Sequence, residues 1–483
     1  MNTPFSRENM CGIEGDALRG IEGALLALQS VREGKFVGSA LRALKDGPER
    51  AGSKKAGSGK EGSGEEMTMP ELSLASSLAY GVLRREALWE KIFGSYIEKN
   101  RSEKQKKLAP VLWDCLLLGT AGILELRHFA KGALVNGLLE ILKARGQEKA
   151  VPMANAVLRN IARDGEALLE KFRRSPNLED RALWAGFPVW TLAAWKKSWT
   201  SEELFDLFEW MQIPPCASLR ASPGKRDEVM DLLRGKGMEG VPSDLFSQSI
   251  RLSSTVLPTL VPGFQEGLAT VQTESSMLAA SLVSDFWRQG LVLDMCSGRG
   301  VKGGQVAQAL NSAPIECWEL SPGRHGAALG EMARLKLKTG GRVGLRVGDA
   351  LSLVPPEKPS VVLLDAPCTG SGTWNRKPES KWKLSWAKLD KTRALQRSLL
   401  KRALTLAETG GIIIYVTCSL LRQENENIVA DALSEHPESV VLDVPWKGPH
   451  IRPGRPWGTY IWPILPWLDG FYVAVIMKRA EGR

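Results

Sequence analysis

From Gly290 to the C-terminus, short apolar runs alternate with longer helix-patterned stretches, and this alternation constrains the fold more than any other feature of the chain. The runs at 291–294, 315–320, 343–349, 361–365 and 412–417 have strand length and little polar interruption. Helix-patterned stretches, among them 324–338 and 387–408, lie between them. Such repetition builds an α/β Rossmann-like domain: a doubly wound, mainly parallel sheet with its functional loops at the C-terminal ends of the strands. A last apolar run at 471–478 adds a closing strand.

The rest of the chain reads differently. With 483 residues it exceeds what one hydrophobic core supports, and about three domains are expected. Residues 18–46 read as a helix and a second, shorter one, with Leu25, Leu26, Leu28 and Val31 as an apolar stripe. Between 48 and 68 the chain is rich in Gly, Ser, Lys and Glu, which predicts a flexible linker. From 71 to 172 the period is helical throughout, with helices near 72–83, 88–98, 110–126, 133–145 and 154–170. Residues 177–285 read as a mixed α/β connecting segment whose tryptophans between 187 and 199 suit packing better than base stacking. The expected domains are therefore 18–174 (all-α, with a flexible insertion at 48–68), 177–285 (connecting) and 286–483 (α/β).

Charge and cysteine usage narrow the function. A formal net charge of +10 favours a polyanionic partner such as nucleic acid. No apolar run approaches the roughly 20 residues of a membrane helix, and residues 1–17 lack the apolar stretch of a signal peptide, so the expected location is cytoplasmic with no membrane partner. Seven cysteines, none in a CxxC pair, and four histidines (128, 325, 436, 450) argue against a structural zinc site, and no metal is expected. The chain is expected to act as a monomer.

The first strand of the α/β region runs into DMCSGRGVKG (294–303), where Gly298, Gly300 and Gly303 spell GxGxxG between a strand and a helix. Glycines let such a loop turn tightly and approach a ligand, and Glu319, 21 residues after Gly298, can hold ribose hydroxyls. The loop alone fits a nicotinamide dinucleotide as well as S-adenosylmethionine. Two further acids, Asp349 and Asp365, end the third and fourth strands, so Glu319, Asp349 and Asp365 are expected along one sheet edge. A strand-end acid can also simply cap the turn that follows it.

The fourth strand leads into DAPCTGSG (365–372) and the fifth into YVTCSLLRQENE (415–426). In a doubly wound sheet these strands are neighbours, about 4.8 Å apart, which brings Cys368 and Cys418 together beside the cofactor. Two thiols and a carboxyl suit one chemistry in particular. Carbon 5 of cytosine becomes nucleophilic only after addition at carbon 6, and a thiolate both adds readily and leaves again. A carboxyl group near N3 stabilises the charge that develops there.

At these residues the chain resembles the RsmB/Sun family of RNA 5-methylcytosine methyltransferases, whose motifs read DAPCSGxG and Y-x-TCS…ENE. The resemblance implies Cys418 as nucleophile, Cys368 as the group that assists product release, and Asp365 as a contact to base and cofactor. DGFYV (469–473) is similar to the family's closing strand, and 263–272 followed by ESS (274–276) to its approach to the first strand. YGVLR (80–84), VNG (135–137) and NAVLR (155–159) resemble the NusB-type RNA-binding helical domain of the family's ribosomal-RNA branch. This implies small-subunit ribosomal RNA as substrate, S-adenosylmethionine as cofactor, and Arg84 and Arg159 as candidate RNA contacts. The implied cofactor-binding residues are Cys296, Ser297, Gly298, Arg299, Gly300, Val301, Lys302, Glu319, Asp349 and Asp365.

One departure stands out. The family's cofactor loop reads DxCAAPGGKT, so Arg299 replaces proline, Val301 the second glycine and Gly303 the threonine. Val301 would be strained if its position requires a positive φ, whereas Gly298 and Gly303 offer a tight turn in a shifted register. Two alternatives to an active methyltransferase follow. One is an RNA-binding ribosome assembly factor impaired in catalysis by this loop; the other is a nicotinamide-dependent oxidoreductase, which explains neither cysteine motif.

Overall fold

The computed structural model describes residues 7–46, 66–97, 108–126 and 129–480, with side chains omitted for 7–14 and 46. Most of the expected linker at 48–68, and His128, lie outside the described residues. The chain divides into two compact units: Met1–Ala193 with Lys377–Trp382, and Ala194–Arg376 with Lys383–Arg483.

The first unit is helical, with helices Arg7–Arg32, Val37–Asp46, Met69–Arg84, Glu86–Ile97, Pro110–Glu125, Lys131–Ala144, Val151–Arg174 and Leu178–Trp184. Pro110–Glu125 is apolar nearly all round and is buried from Asp114 to Ile123, as its sequence requires of a central helix. Met69–Arg84 starts at a capping box in which the Thr68 side chain and Glu71 satisfy each other's backbone N–H groups. Lys377–Trp382 belongs to this unit although it follows the Cys368 loop in sequence. There the Lys381 ammonium donates to Arg84 O at 2.6 Å and Trp382 Nε1 to Leu83 O at 2.5 Å. Burial and the neighbouring Arg85 and Arg84 guanidiniums hold Lys381 well below the usual lysine range. The Arg84 guanidinium lies 5.8 Å from the Tyr80 ring centre, and the exposed Arg159 donates to Asn155 Oδ1 at 3.1 Å.

The second unit holds two sheets. Strands β1 (Ser218–Ala221), β2 (Gly240–Pro242), β3 (Ser249–Leu252) and β4 (Ala269–Val271) form an antiparallel sheet in the order β2-β3-β1-β4. The larger sheet contains β5 (Val292–Asp294), β6 (Ile315–Glu319), β7 (Val343–Val347), β8 (Val361–Asp365), β9 (Ile412–Thr417), β10 (Val440–Leu442), β11 (Ile451–Pro453), β12 (Thr459–Ile461) and β13 (Phe471–Met477). Its order is β11-β12-β13-β9-β8-β5-β6-β7, with β10 beside β13. The five strands from β5 to β9 are parallel to their neighbours among themselves; β13 runs antiparallel to β9.

Sequence explains the centre of this sheet. VVLL of β8 and all of β9 are buried, because helices such as Glu274–Phe286 and Trp386–Leu406 cover the faces. Each fully buried valine or isoleucine contributes about 2 kcal/mol by area removed from water. The helix after β6 runs over Pro322–Arg334, shorter than the expected 324–338 at its end, because Lys336 adopts a left-handed backbone with φ 58°. The tryptophans expected to pack do so: Trp195 is buried, and Trp199 lies 4.6 Å from Trp462 and 4.9 Å from Tyr460 between ring centres.

Candidate active site

The β5–helix turn takes its shape from two glycines. Gly298 has φ 59° and Gly300 φ 79°, and Gly300 caps the helix Val301–Ala309. A side chain is disfavoured by about 1–2 kcal/mol in this left-handed region, so the turn demands glycine at both positions. Val301 is the first residue of the helix and has no positive φ. The position therefore does not require a positive φ, and the valine is accommodated without backbone strain. Gly303 lies inside the helix rather than in the turn. Ser297 anchors the loop to β6, its N–H donating to Trp318 O at 2.8 Å and its hydroxyl at 3.1 Å. The first turn of this helix leaves N–H groups without an intrahelical partner.

The strand-end acids are in three different states. Glu319 is buried, and its Oε1 accepts from Ser321 N at 2.7 Å and Arg324 Nε at 2.8 Å. Asp349 is exposed and its Oδ1 accepts from Leu351 N at 2.9 Å, so it caps its own turn. Asp365 pairs with Lys302, Nζ to Oδ2 at 2.6 Å. Sequence reasoning left out a fourth acid, Asp294. It is buried, and burial, reinforced by Asp365, raises it to about 7 against the opposing pull of Lys302 and of the Cys296 backbone N–H. Cys296, just beyond it, is pushed up by burial and by Asp294.

Cys368 and Cys418 meet as the strand order requires. Asp365 is in register with Val416 across β8 and β9, and three and two residues later the two sulfurs lie 3.1 Å apart. Hydrogen bonding to Cys418 comes first, then burial and the charges of Cys418 and Glu424, in holding the Cys368 thiol well above its ordinary value.

The loops that carry the two sulfurs are tied by groups to which the sequence assigned no role. Glu424 is fully buried and accepts from Thr369 N at 2.9 Å, Thr369 Oγ1, Ser419 Oγ and Gln396 Nε2 at 3.1 Å. Asn425 donates to Ser419 O at 2.9 Å and accepts from Thr417 Oγ1 at 2.6 Å. The available signal was the QENE run after the cysteine motif, which places acids and an amide where a strand end needs buried acceptors and donors. Backbone closure is equally tight at Gly372. Its N–H donates to Cys418 O at 3.0 Å and its carbonyl accepts from Gly470 N at 2.8 Å. A Cβ at Gly372 would lie 1.9 Å from Gly470 O. Arg376 then bridges the loop to Asp469 at 2.6 Å.

Behind the glycine turn sits a buried cation, Arg220 on β1. It donates to Gln272 Oε1 at 2.6 Å, Val301 O at 3.1 Å and Gln308 Oε1 at 3.1 Å, and burial lowers it to about 10.

Known proteins are similar to this chain. Residues 285–477 match the family model of the 16S rRNA methyltransferases RsmB/F, and residues 37–163 match that of the NusB family. A Bacillus subtilis protein named "Probable ribosomal RNA small subunit methyltransferase B" is 27% identical over 428 residues, covering 84% of this chain and 90% of the relative. Ribosomal RNA small subunit methyltransferase B of Citrobacter koseri is 27% identical over 415 residues, with 84% and 91% covered. The crystal structure of a protein named PH0851 shares the fold, with a TM-score of 0.71 at 23% identity over 95% of this chain and 98% of that one. No helix among the described residues is long and apolar enough to cross a membrane. With a cysteine pair at adjacent strand ends and both family models matched in order along the chain, residues 285–477 carry a methyltransferase domain of the RsmB/F family and residues 37–163 a NusB-family domain.

Proposed function

We propose that this protein transfers a methyl group from S-adenosylmethionine to carbon 5 of a cytosine in RNA, the substrate being small-subunit ribosomal RNA. The observation that carries the reading is the pair of sulfurs 3.1 Å apart beside the Lys302–Asp365 ion pair. The relatives' names supply the RNA. Residues 18–174 would grip it, with Arg84 and Arg159 as candidate contacts, and residues 286–483 would carry out the chemistry, joined by the segment 177–285.

The cofactor fits the residues present. The turn 296–302 offers helix N–H groups, open space beside Gly298, and the buried Asp294 carboxyl at its start. Cys296, Ser297, Gly298, Arg299, Gly300, Val301 and Lys302 would frame it, with Glu319, Asp349 and Asp365 along the strand ends. S-adenosylmethionine, when bound, supplies an electrophilic methyl group.

Cys418, as a thiolate, adds to carbon 6 of the cytosine, and the displaced π electrons make carbon 5 nucleophilic. Asp365 and Lys302 stabilise the charge that develops toward N3. Once carbon 5 is methylated, its proton passes to a water molecule, the C–H electron pair re-forms the carbon 5–carbon 6 double bond, the carbon 6–sulfur bond breaks and Cys418 leaves as a thiolate. Cys368 assists that expulsion. The test is a methyl-transfer assay on ribosomal RNA with two variants. Cys418→Ala should abolish transfer, and Cys368→Ala should accumulate a covalent protein–RNA adduct. Wild-type activity in both variants would end this reading.

A further inference from the structure

We infer that Cys368 and Cys418 close into a reversible disulfide when a peroxide reaches them, so that the pair is also a site of redox modification. Formation of the bond does not depend on the proposed function. Only its effect on methyl transfer rests on that reading.

The geometry is close to that of the bond itself. The two sulfurs lie 3.1 Å apart, and a disulfide needs about 2.05 Å, so a closure of roughly 1 Å suffices. The loops that carry the sulfurs are clamped together just beyond them. Glu424 accepts from Thr369 Oγ1 and Ser419 Oγ at 2.5 Å each, and these are the residues that follow the two cysteines. Ser371 Oγ lies 3.0 Å from Ser419 Oγ and accepts from Leu420 N at 2.8 Å. Gly372 N donates to Cys418 O at 3.0 Å. Two groups held in this way react with each other at a high effective concentration. Both cysteines are partly exposed, so a small oxidant can reach them, whereas Cys115 and Cys317 are buried.

The chemistry balances with hydrogen peroxide as the oxidant. One sulfur, as thiolate, attacks the O–O bond; a sulfur–oxygen bond forms, the O–O bond breaks and hydroxide leaves, taking up a proton to become water. The second sulfur, as thiolate, attacks the sulfenic sulfur; the S–S bond forms, the sulfur–oxygen bond breaks and a second water leaves. Two thiols have lost two electrons, and one peroxide has become two waters. The nearby partner traps the sulfenic acid before it is oxidised to sulfinic acid, and a thiol reductant reopens the bond by exchange. While the bond stands, neither sulfur can add to a base.

The test uses the full-length protein, reduced, freed of reductant and treated with stoichiometric hydrogen peroxide. Digestion without reduction and mass spectrometry should find the Cys368 and Cys418 peptides joined, in a chain that stays monomeric on denaturing gels. Dithiothreitol should separate them. In Cys368→Ser, Cys418 has lost its partner and should accumulate sulfinic acid that dithiothreitol does not reverse. Methyl transfer by the unaltered chain should fall about tenfold or more after peroxide and return with dithiothreitol. Absence of the joined peptides, or joining only between two chains, overturns the inference, and this result on the unaltered chain stands even if the serine variant fails to fold. Joined peptides in a protein that transfers no methyl group when reduced would instead sink the proposed function and leave the disulfide standing.

Discussion

Lys302 Nζ lies 2.6 Å from Asp365 Oδ2, and the same ammonium also acts on the buried Asp294. One cation thus serves two acids at the base of the cofactor turn.

This arrangement sets a pH dependence. The folded value of Asp294, about 7, lies above the ordinary 3.8, so the folded chain holds a proton that the unfolded chain has released. Stability from this group is fully present below the ordinary value and is lost as pH rises toward about 7. The full shift corresponds to an upper bound on the order of 4 kcal/mol. Asp294→Asn cannot ionise. Relative to wild type it should gain in stability as pH rises from acid to slightly alkaline, with no further change above. Urea unfolding at a series of pH values measures this, and a pH-independent difference would refute it.

Gly298→Ala restores the residue the family pattern carries at this position. Its Cβ would meet nothing within 4 Å, so the cost is backbone strain alone at φ 59°. We expect a loss of about 1 kcal/mol in stability and weaker S-adenosylmethionine binding by calorimetry. Val301→Gly, in contrast, should not tighten binding, because the helix already begins there.

Gly372→Ala places a methyl group 1.9 Å from Gly470 O, a backbone atom that cannot swing aside. Separation of the two segments should cost 3 kcal/mol or more, roughly the upper end for overpacking. Thermal unfolding and methyl transfer should both suffer, and a variant with unchanged melting would contradict this packing.

Arg220→Met removes a guanidinium held by Gln272, Val301 O and Gln308. Methionine fills the space but leaves buried acceptors unpaired, at about 1–3 kcal/mol each. Denaturant unfolding should show a loss of this order. Cofactor binding should weaken as well, since one lost bond steadies the first residue of the cofactor helix.

Much of this was legible in the sequence. β8 and β9 lie at the expected residues because strands covered on both faces must be apolar throughout. Their adjacency brought Cys368 and Cys418 together as the topology demands. Other features carry no such pattern. β10, β11 and β12 are three residues each, too short for any period to show. Glu424 reads as an ordinary polar residue after a strand, and only the fold reveals that it is buried. Asp349 is expected to end its strand as Asp365 does, but β7 stops at Val347, and two residues further on Asp349 spends its carboxylate on a local turn. The place of Lys377–Trp382 in the helical unit depends on tertiary contacts of Lys381 and Trp382 that no local pattern encodes.

The crossing of Gly372 and Gly470 has a bearing on protein engineering. Two segments distant in the chain meet there backbone to backbone, with the Arg376–Asp469 pair alongside. A loop graft that imports 365–376 from a relative would carry a donor backbone path cut to fit the donor's own closing strand. Chimaeras of this region should therefore be built with 365–376 and 469–473 exchanged together, as one cassette made of two pieces.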